Sequence, residues 1–329
     1  MYTFNTMHRH IPTLLIAALL TACGGGGSGS SNPPATNNPP TTTPPTTIPP
    51  TAPPTTPPSG SGAPVATGNT ATDGFNWFNY RRASLGLSKL TRNTNIDFAA
   101  FGHSNYLSLN NTVTHDQTPG NPGFTGITVS DRLANANYTL TLPYAYGEVI
   151  SAAGDTSGFY HAEELITAIY HRFVVFEPMF KEMGTGSAFS SGRTYFTADL
   201  AASNGLGAGL GRGKIVAYPY DLQTDLPTNF FSDTESPDPV PSQNEVGYPV
   251  SVHSDITGNI TVSSFTIHPR NGAMMATRLL TSSNDAHTSP HEAAIIPLLP
   301  LSPKTTYEVS FSGTVDGMAV TKNWSFTTK

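Results

Sequence analysis

The chain has 329 residues, a net charge of -6, only 12% charged side chains and a single cysteine. The acidity is mild and unclustered, and no basic patch interleaves with aromatics, so nucleic acid is excluded as a partner class. One cysteine leaves no intramolecular disulfide and no zinc ribbon. Low charge with abundant Thr, Ser, Asn and Gly suits an extracytoplasmic chain rich in strand and loop.

Residues 1–22 form an address. Arg9, with His8 and His10, gives a basic start, and Ile11 to Leu20 is an apolar stretch too short to span a bilayer as a stable helix. Leu20-Thr-Ala-Cys23 follows directly and resembles a bacterial lipoprotein cleavage site. The resemblance implies that Cys23 becomes the lipid-bearing first residue, so the membrane is a partner through that lipid. The alternative is a secretory peptide with an incidental cysteine. Gly24, with no Asp at that place, favours the outer membrane by resemblance to enterobacterial sorting. The expected location is the bacterial cell envelope, lipid-anchored, at the outer membrane or cell surface.

Residues 23–64 carry Gly, Ser, Thr, Asn and Pro with almost no apolar side chains, so nothing offsets the entropy of ordering. The Pro-Pro-Thr-Thr repeats predict a disordered, semi-stiff stalk of up to about 100 Å.

A first domain spans 71–203. Phe75, Phe78, Arg82 and Leu85 recur at helical spacing over 73–86, with Gly86 as a stop. Ile96, Ala99, Ala100, Tyr106 and Leu107 predict a second helix over 95–109. Thr128-Val-Ser-Asp131 opens a short third helix through 136. A strand is expected over 144–151. One continuous helix is expected over 162–174, then two strands over 181–188 and 194–202 across a turn at Ser190-Ser-Gly192. Helices and strands mix without a β-α-β rhythm, which argues α+β.

Gly205-Leu-Gly-Ala-Gly-Leu-Gly-Arg-Gly213 lacks a following Lys-Ser or Lys-Thr and a helix, so it is no phosphate loop. Residues 204–213 are expected to be a flexible hinge. Residues 214–329 then give short alternating segments at 215–218, 250–253, 260–267, 273–280, 293–298, 307–313 and 319–327. Asp316-Gly317 is a hairpin signal. The pattern argues an all-β sandwich.

Several residues could carry chemistry. His115 follows the second helix, and Glu148 follows Gly147 in a strand. Glu163 and Glu164 open the helix that carries His171. Glu164 and His171, two turns apart on a continuous helix, would share a face. Two imidazoles with two carboxylates could bind a divalent cation or form a hydrogen-bonded network. His161-Ala-Glu-Glu-Leu165 lacks the second histidine of a zinc-protease motif, and no Gly-x-Ser-x-Gly elbow exists. His103 is expected on a helix surface, His161 near a cap and Tyr170 at a core position. Arg172 is expected to pair with Glu148 or Asp131.

Residues 71–203 resemble the CAP superfamily of cysteine-rich secretory, antigen and pathogenesis-related proteins, in its bacterial SCP-like branch. The likeness rests on five motifs in order: His115; Arg132 with Tyr138; Gly147-Glu148-Val149-Ile150; His171-Arg172; and Pro178-Met-Phe180 before Gly184-Thr-Gly186. It implies an α-β-α sandwich with His115, Glu148 and His171 lining one cleft, and Glu164 or Glu163 as its second carboxylate. Val149 replaces the family's Asn, and the usual Ser-Pro-Gly run before the second histidine is missing. Leu301 to Tyr307, with Trp324-Ser-Phe-Thr-Thr328, resembles the end of bacterial immunoglobulin-like domains.

Three functions follow as expectations. The first is a binding or adhesion lipoprotein whose cleft (His115, Glu148, Glu164, His171) holds Zn²⁺, another divalent cation or a small ligand, with an unknown surface ligand as partner. The second is a metal-assisted hydrolase acting on peptide or cell-wall material. The third is a structural spacer in which the histidines staple the core.

Overall fold

The computed structural model describes residues 62–329, together with the backbone of two short strands, β1 (Tyr2–Thr3) and β2 (His8–His10). Apart from those two strands and residues 62–64, the expected signal peptide and stalk, Cys23 included, lie outside the described residues.

Helix α1 (Thr70–Ser84) starts three residues before its expected place, because the Asn69 side chain accepts from Thr72 N at 2.8 Å. Its buried Asp73 accepts from Thr67 N and Oγ1 and from Gly68 N, which ties down the incoming chain. The short strand β3 (Thr91–Arg92) leads into α2 (Thr94–Asn110), capped by Asn93 and closed by Asn111 in the left-handed region. α3 (Val129–Asn135) opens on the Thr128–Asp131 capping box that the sequence predicts. β4 (Tyr144–Ala153), α4 (Gly158–Thr167), α5 (Ile169–Val175), β5 (Glu182–Ser190) and β6 (Arg193–Ala202) complete the α-β-α part.

The sheet order is β2-β4-β6-β5-β3. Strand alternation gives it two faces. Val149, Met183, Phe196, Ala198 and Leu200 pack on α1 and α4 through Trp77, Phe78, Phe159, Leu165 and Ile166. The other face packs on α2, with Tyr146 and Ala201 against Ile96 and Ala99, and Ile150 and Tyr195 against Tyr106 and Leu107. α2 lies so close to β5 that a Cβ at Gly184 would overlap the backbone of Ile96 and Asp97. Glycine here permits the close approach.

The expected single helix over 162–174 is two helices. Ala168 is extended (φ -69°, ψ 124°) and separates α4 from α5. Glu164 and His171 therefore do not share a helical face.

The C-terminal part is all β. β7 (Val216–Tyr218), β8 (Gln223–Leu226), β9 (Asn229–Phe231), β10 (Glu235–Ser236) and β11 (Glu245–Gly247) precede β12 (Val250–His253), β13 (Ile260–Pro269), β14 (Thr277–Thr281), β15 (Glu292–Pro297), β16 (Thr306–Val315) and β17 (Met318–Thr328). Two four-stranded sheets form, ordered β14-β15-β12-β7 and β13-β16-β17-β8. Asp316 (φ 54°) and Gly317 (φ 77°) make the tight turn between β16 and β17.

The glycine-rich segment expected as a flexible hinge is fastened. Gly207 N donates to Met179 O at 2.7 Å, and Leu210 N and Gly211 N donate to the Asp255 carboxylate at 2.5 and 2.8 Å. Leu206 and Leu210 pack against a core that runs unbroken from Phe176 and Phe180 to Tyr218 and Tyr248. The two parts share one interior.

Candidate functional site

The α2 face of the sheet carries a buried polar cluster. Glu148 sits mid-strand on β4, fully buried. Its Oε1 accepts from His115 Nδ1 at 2.7 Å and its Oε2 from Arg132 Nη2 at 2.7 Å. Arg132, on α3, also donates through Nη1 to His115 O at 2.8 Å. One guanidinium thus holds both the carboxylate and the backbone of the histidine loop. Burial would raise the Glu148 pKa, but the Arg132 charge, helped by the His115 hydrogen bond, prevails and holds it below the usual carboxylate range.

His103 completes the cluster from α2. Its Nε2–H donates to Thr114 O at 2.8 Å, and Gln117 Nε2 donates to its Nδ1 at 2.9 Å. Burial lowers its pKa to about 4, against the opposing pull of Glu148. The 3.8 Å approach of His103 Nε2 to Glu148 is therefore contact with a neutral ring, not an ion pair. His103 was expected on a helix surface and is instead wholly buried.

Asp199 faces Glu148 across the β4–β6 ladder. As a carboxylate neither of its oxygens would have a donor. Burial and then the Glu148 charge raise its pKa well above the usual value.

Glu164 and His171 lie elsewhere. Glu164 faces the opposite side of the sheet, where it accepts from Tyr160 Oη at 2.7 Å and lies 3.3 Å from Ser151 Oγ. His161 Nε2 donates to Asp155 O at 3.0 Å, so Ser151 Oγ donates to His161 Nδ1 at 2.7 Å. His161, expected near a cap, is a buried ring whose pKa burial lowers to about 4. Glu163 leaves the expected cleft too: it takes a bidentate contact from Arg81 at 2.8 and 2.9 Å and a hydrogen bond from Trp77 Nε1 at 2.6 Å.

His171 turns to the C-terminal part. Its Nδ1 lies 2.9 Å from Oε1 of Glu235, whose carboxylate also accepts from the backbone of Ile169, Tyr170 and His171. Arg172 does not reach Glu148 or Asp131. It donates to Pro249 O at 2.7 Å and Ile166 O at 2.6 Å and lies over Tyr218 and Tyr248. Tyr170 is a core residue as expected.

The expected four-residue cleft thus resolves into three places: His115 with Glu148, Glu164 with Ser151, and His171 with Glu235. Sequence reasoning missed His103, Gln117, Asp199 and Glu235. His103 was findable, since Ala99 and Leu107 lie one turn on either side of it on the buried face. Glu235 had no local signal.

A divalent cation does not fit this donor set. Both Glu148 oxygens and both His103 nitrogens are engaged, and Arg132 already supplies the compensating charge. His115 Nε2 is a buried atom without a partner, a single nitrogen against the three or four ligands zinc takes. Among the described residues no group of three or more His, Cys, Asp or Glu side chains is placed to hold a metal ion.

Comparison with known proteins addresses the α-β-α part. Residues 75–200 match the model of the CAP family, the cysteine-rich secretory protein family. No curated protein matches the chain. Among solved structures, an extracellular protein containing an SCP domain from Bacillus anthracis is similar at 22% identity, with a TM-score of 0.35, over 42% of this chain and 44% of that one. An outer surface protein from Borrelia burgdorferi is similar at 14% identity, with a TM-score of 0.33, over 40% of this chain and 90% of its own. The match to the CAP family thus covers the α-β-α part of the chain, residues 75–200.

Proposed function

We propose that this is a lipid-anchored protein of the bacterial cell envelope that acts by binding at the surface, with the Glu148 cluster serving as a metal-free polar clamp. The observation that carries the second half is the saturation of Glu148 by Arg132 and His115. A carboxylate so engaged fixes the loop after α2, and Arg132 already balances its charge. Cys23 after its apolar stretch, and the Pro/Thr-rich stalk, support anchoring and display. An immunoglobulin-like module is supported by strand order. Sheets β14-β15-β12-β7 and β13-β16-β17-β8 follow the pairing of D-E-B-A and C-F-G, with β8 added beside the last strand.

One observation favours turnover instead. His115 Nε2 has no partner, and its ring is oriented by Glu148, the arrangement of a general base. Against this, the atom is buried and no hydroxyl is hydrogen-bonded to it.

The test compares the parent with His115→Ala and His171→Ala on panels of envelope glycans, lipids and peptides. Binding without turnover, kept by variants that have lost stability, is the expected result. Hydrolysis of peptide or cell-wall material that His115→Ala abolishes would establish the hydrolase instead.

A further inference from the structure

A cavity of about 510 Å³ lies along α1, between that helix and the chain entering at Gly62 and Pro64. Its volume falls within the roughly 300–1,000 Å³ of small-molecule sites. Two aromatic rings line it, Phe75 and Tyr80, both half-buried. Neither ring is loose. The Arg92 guanidinium lies 5.4 Å over Phe75, and Trp77 and the Arg81 guanidinium lie 5.4 and 5.7 Å from the Tyr80 ring. Lys89, in the loop after α1, lines the cavity too. Buried Asn79 holds that loop, donating to Leu90 O at 3.0 Å and accepting from Leu90 N at 2.7 Å.

Three polar groups lining this cavity are unengaged among the described residues: the Asn76 carboxamide, the Tyr80 hydroxyl and the Lys89 ammonium. Asn76 and Tyr80 stand one turn apart and share a face of the helix. The neighbouring cations are committed, Arg81 to Glu163 and Arg92 to Asp97, each at 2.8 Å, which leaves Lys89 as the unpaired charge beside the rings. This combination selects among ligand classes. An acyl chain would strip water from all three polar groups and replace none of it. An extended peptide finds no main-chain partner at Leu90, because Asn79 already pairs with its N–H and its C=O. A sugar matches the set. Its C–H face packs on an aromatic ring, its hydroxyls donate to and accept from a carboxamide and a phenol, and a carboxylate on the sugar pairs with the lysine.

We infer that the cavity along α1 is a binding site for carboxylated sugars, with the ring against Tyr80 and Phe75, the hydroxyls at Asn76 and Tyr80 Oη, and the carboxylate at Lys89 Nζ. The inference rests on the surface-binding reading above and deepens it, giving that reading a site and a ligand class. The site lies on the α1 side of the sheet, opposite the Glu148 cluster, so the clamp and the ligand do not compete for the same residues. Rings held in place by Trp77 and Arg92 need little ordering when a ligand arrives.

The experiment titrates the mature chain calorimetrically with uronate and sialate oligosaccharides, with the methyl esters of the same oligosaccharides, and with the envelope glycan, lipid and peptide panel. The expected result is binding of a carboxylated oligosaccharide that weakens at least tenfold in its methyl ester. Lys89→Ala and Tyr80→Ala should each weaken it at least tenfold, whereas Lys214→Ala, at an exposed lysine in the C-terminal part, binds as the parent does. Lys89 is exposed, so its removal leaves the fold intact. Tyr80→Phe keeps the ring beside Trp77 and should lose less than Tyr80→Ala. Equal binding of acid and ester, or binding unchanged in both Lys89→Ala and Tyr80→Ala, overturns the inference and leaves surface binding standing. Binding of neutral glycans, lipids or peptides alone has the same consequence. A parent that binds nothing on the panel overturns the surface-binding reading and this site with it.

Discussion

Glu235 and His171 meet across the boundary between the two parts of the chain, with 2.9 Å between Oε1 and Nδ1. The same carboxylate accepts from three successive amides at the start of α5. A residue from the β region thus caps a helix of the α-β-α domain, and Ala168 leaves the helical region just before it. Glu235→Ala would strand these donors in the interior. A loss of about 2–4 kcal/mol in urea unfolding is expected, with faster amide exchange in 169–171 than elsewhere in the first domain. Unchanged exchange there would remove the cap from the account.

Glu148→Gln tests the clamp. It keeps the shape of the side chain and removes the charge that balances buried Arg132. The expected cost is about 3–5 kcal/mol, the range for breaking a buried pair from one side. Pairing it with Arg132→Met in a double-mutant cycle should recover part of the loss, because the double variant carries no uncompensated charge.

The domain junction predicts a pH dependence. Glu177 lies at the junction, accepting from Met179 N and Ile256 N, with His291 at 3.3 Å. Burial raises its pKa to about 7, against the lowering effect of His291. The folded state then holds a proton that the unfolded state releases near pH 4.5. The stabilisation from Glu177 is full below about 4.5 and is lost as pH rises through 7, by roughly 3 kcal/mol in total. Relative to Glu177→Gln, the parent should lose stability between pH 5 and 8 in denaturant titrations. A pH-independent difference would contradict the buried, raised carboxyl.

His103 acts in the opposite direction. Its pKa is near 4 in the fold and ordinary when unfolded, so its contribution is complete above about 6.5 and lost as pH falls towards 4. Compared with His103→Gln, the parent should weaken on acidification through that window, in the same denaturant titrations.

Much of the fold was legible in residue patterns, and the reasons are local. The Thr128–Asp131 box, the buried faces of α1 and α2, and the Asp316-Gly317 turn carry their own signals. The break at Ala168 does not: alanine favours helix, and the carboxylate that caps α5 comes from Glu235, far along the chain. That break is why Glu164 and His171 separate. The fastening of 204–213 was equally hidden, since glycine permits a hinge but Asp255 decides otherwise. Strands β8 to β11, two to four residues each, are too short to show a period. At the site, the sequence points to His115 and Glu148, whereas Asp199 meets Glu148 as a cross-strand neighbour that only the ladder reveals.

The central claim is that the Glu148 cluster is a clamp and not a metal centre. The most direct measurement is calorimetric zinc titration of protein starting at Ala63, beside the His115→Ala/His171→Ala double variant, at neutral pH. The account predicts no stoichiometric zinc binding by the parent, and a double variant that differs from it in unfolding midpoint alone. One zinc per chain, bound by the parent and lost in the double variant, would contradict it and make the cluster a metal site.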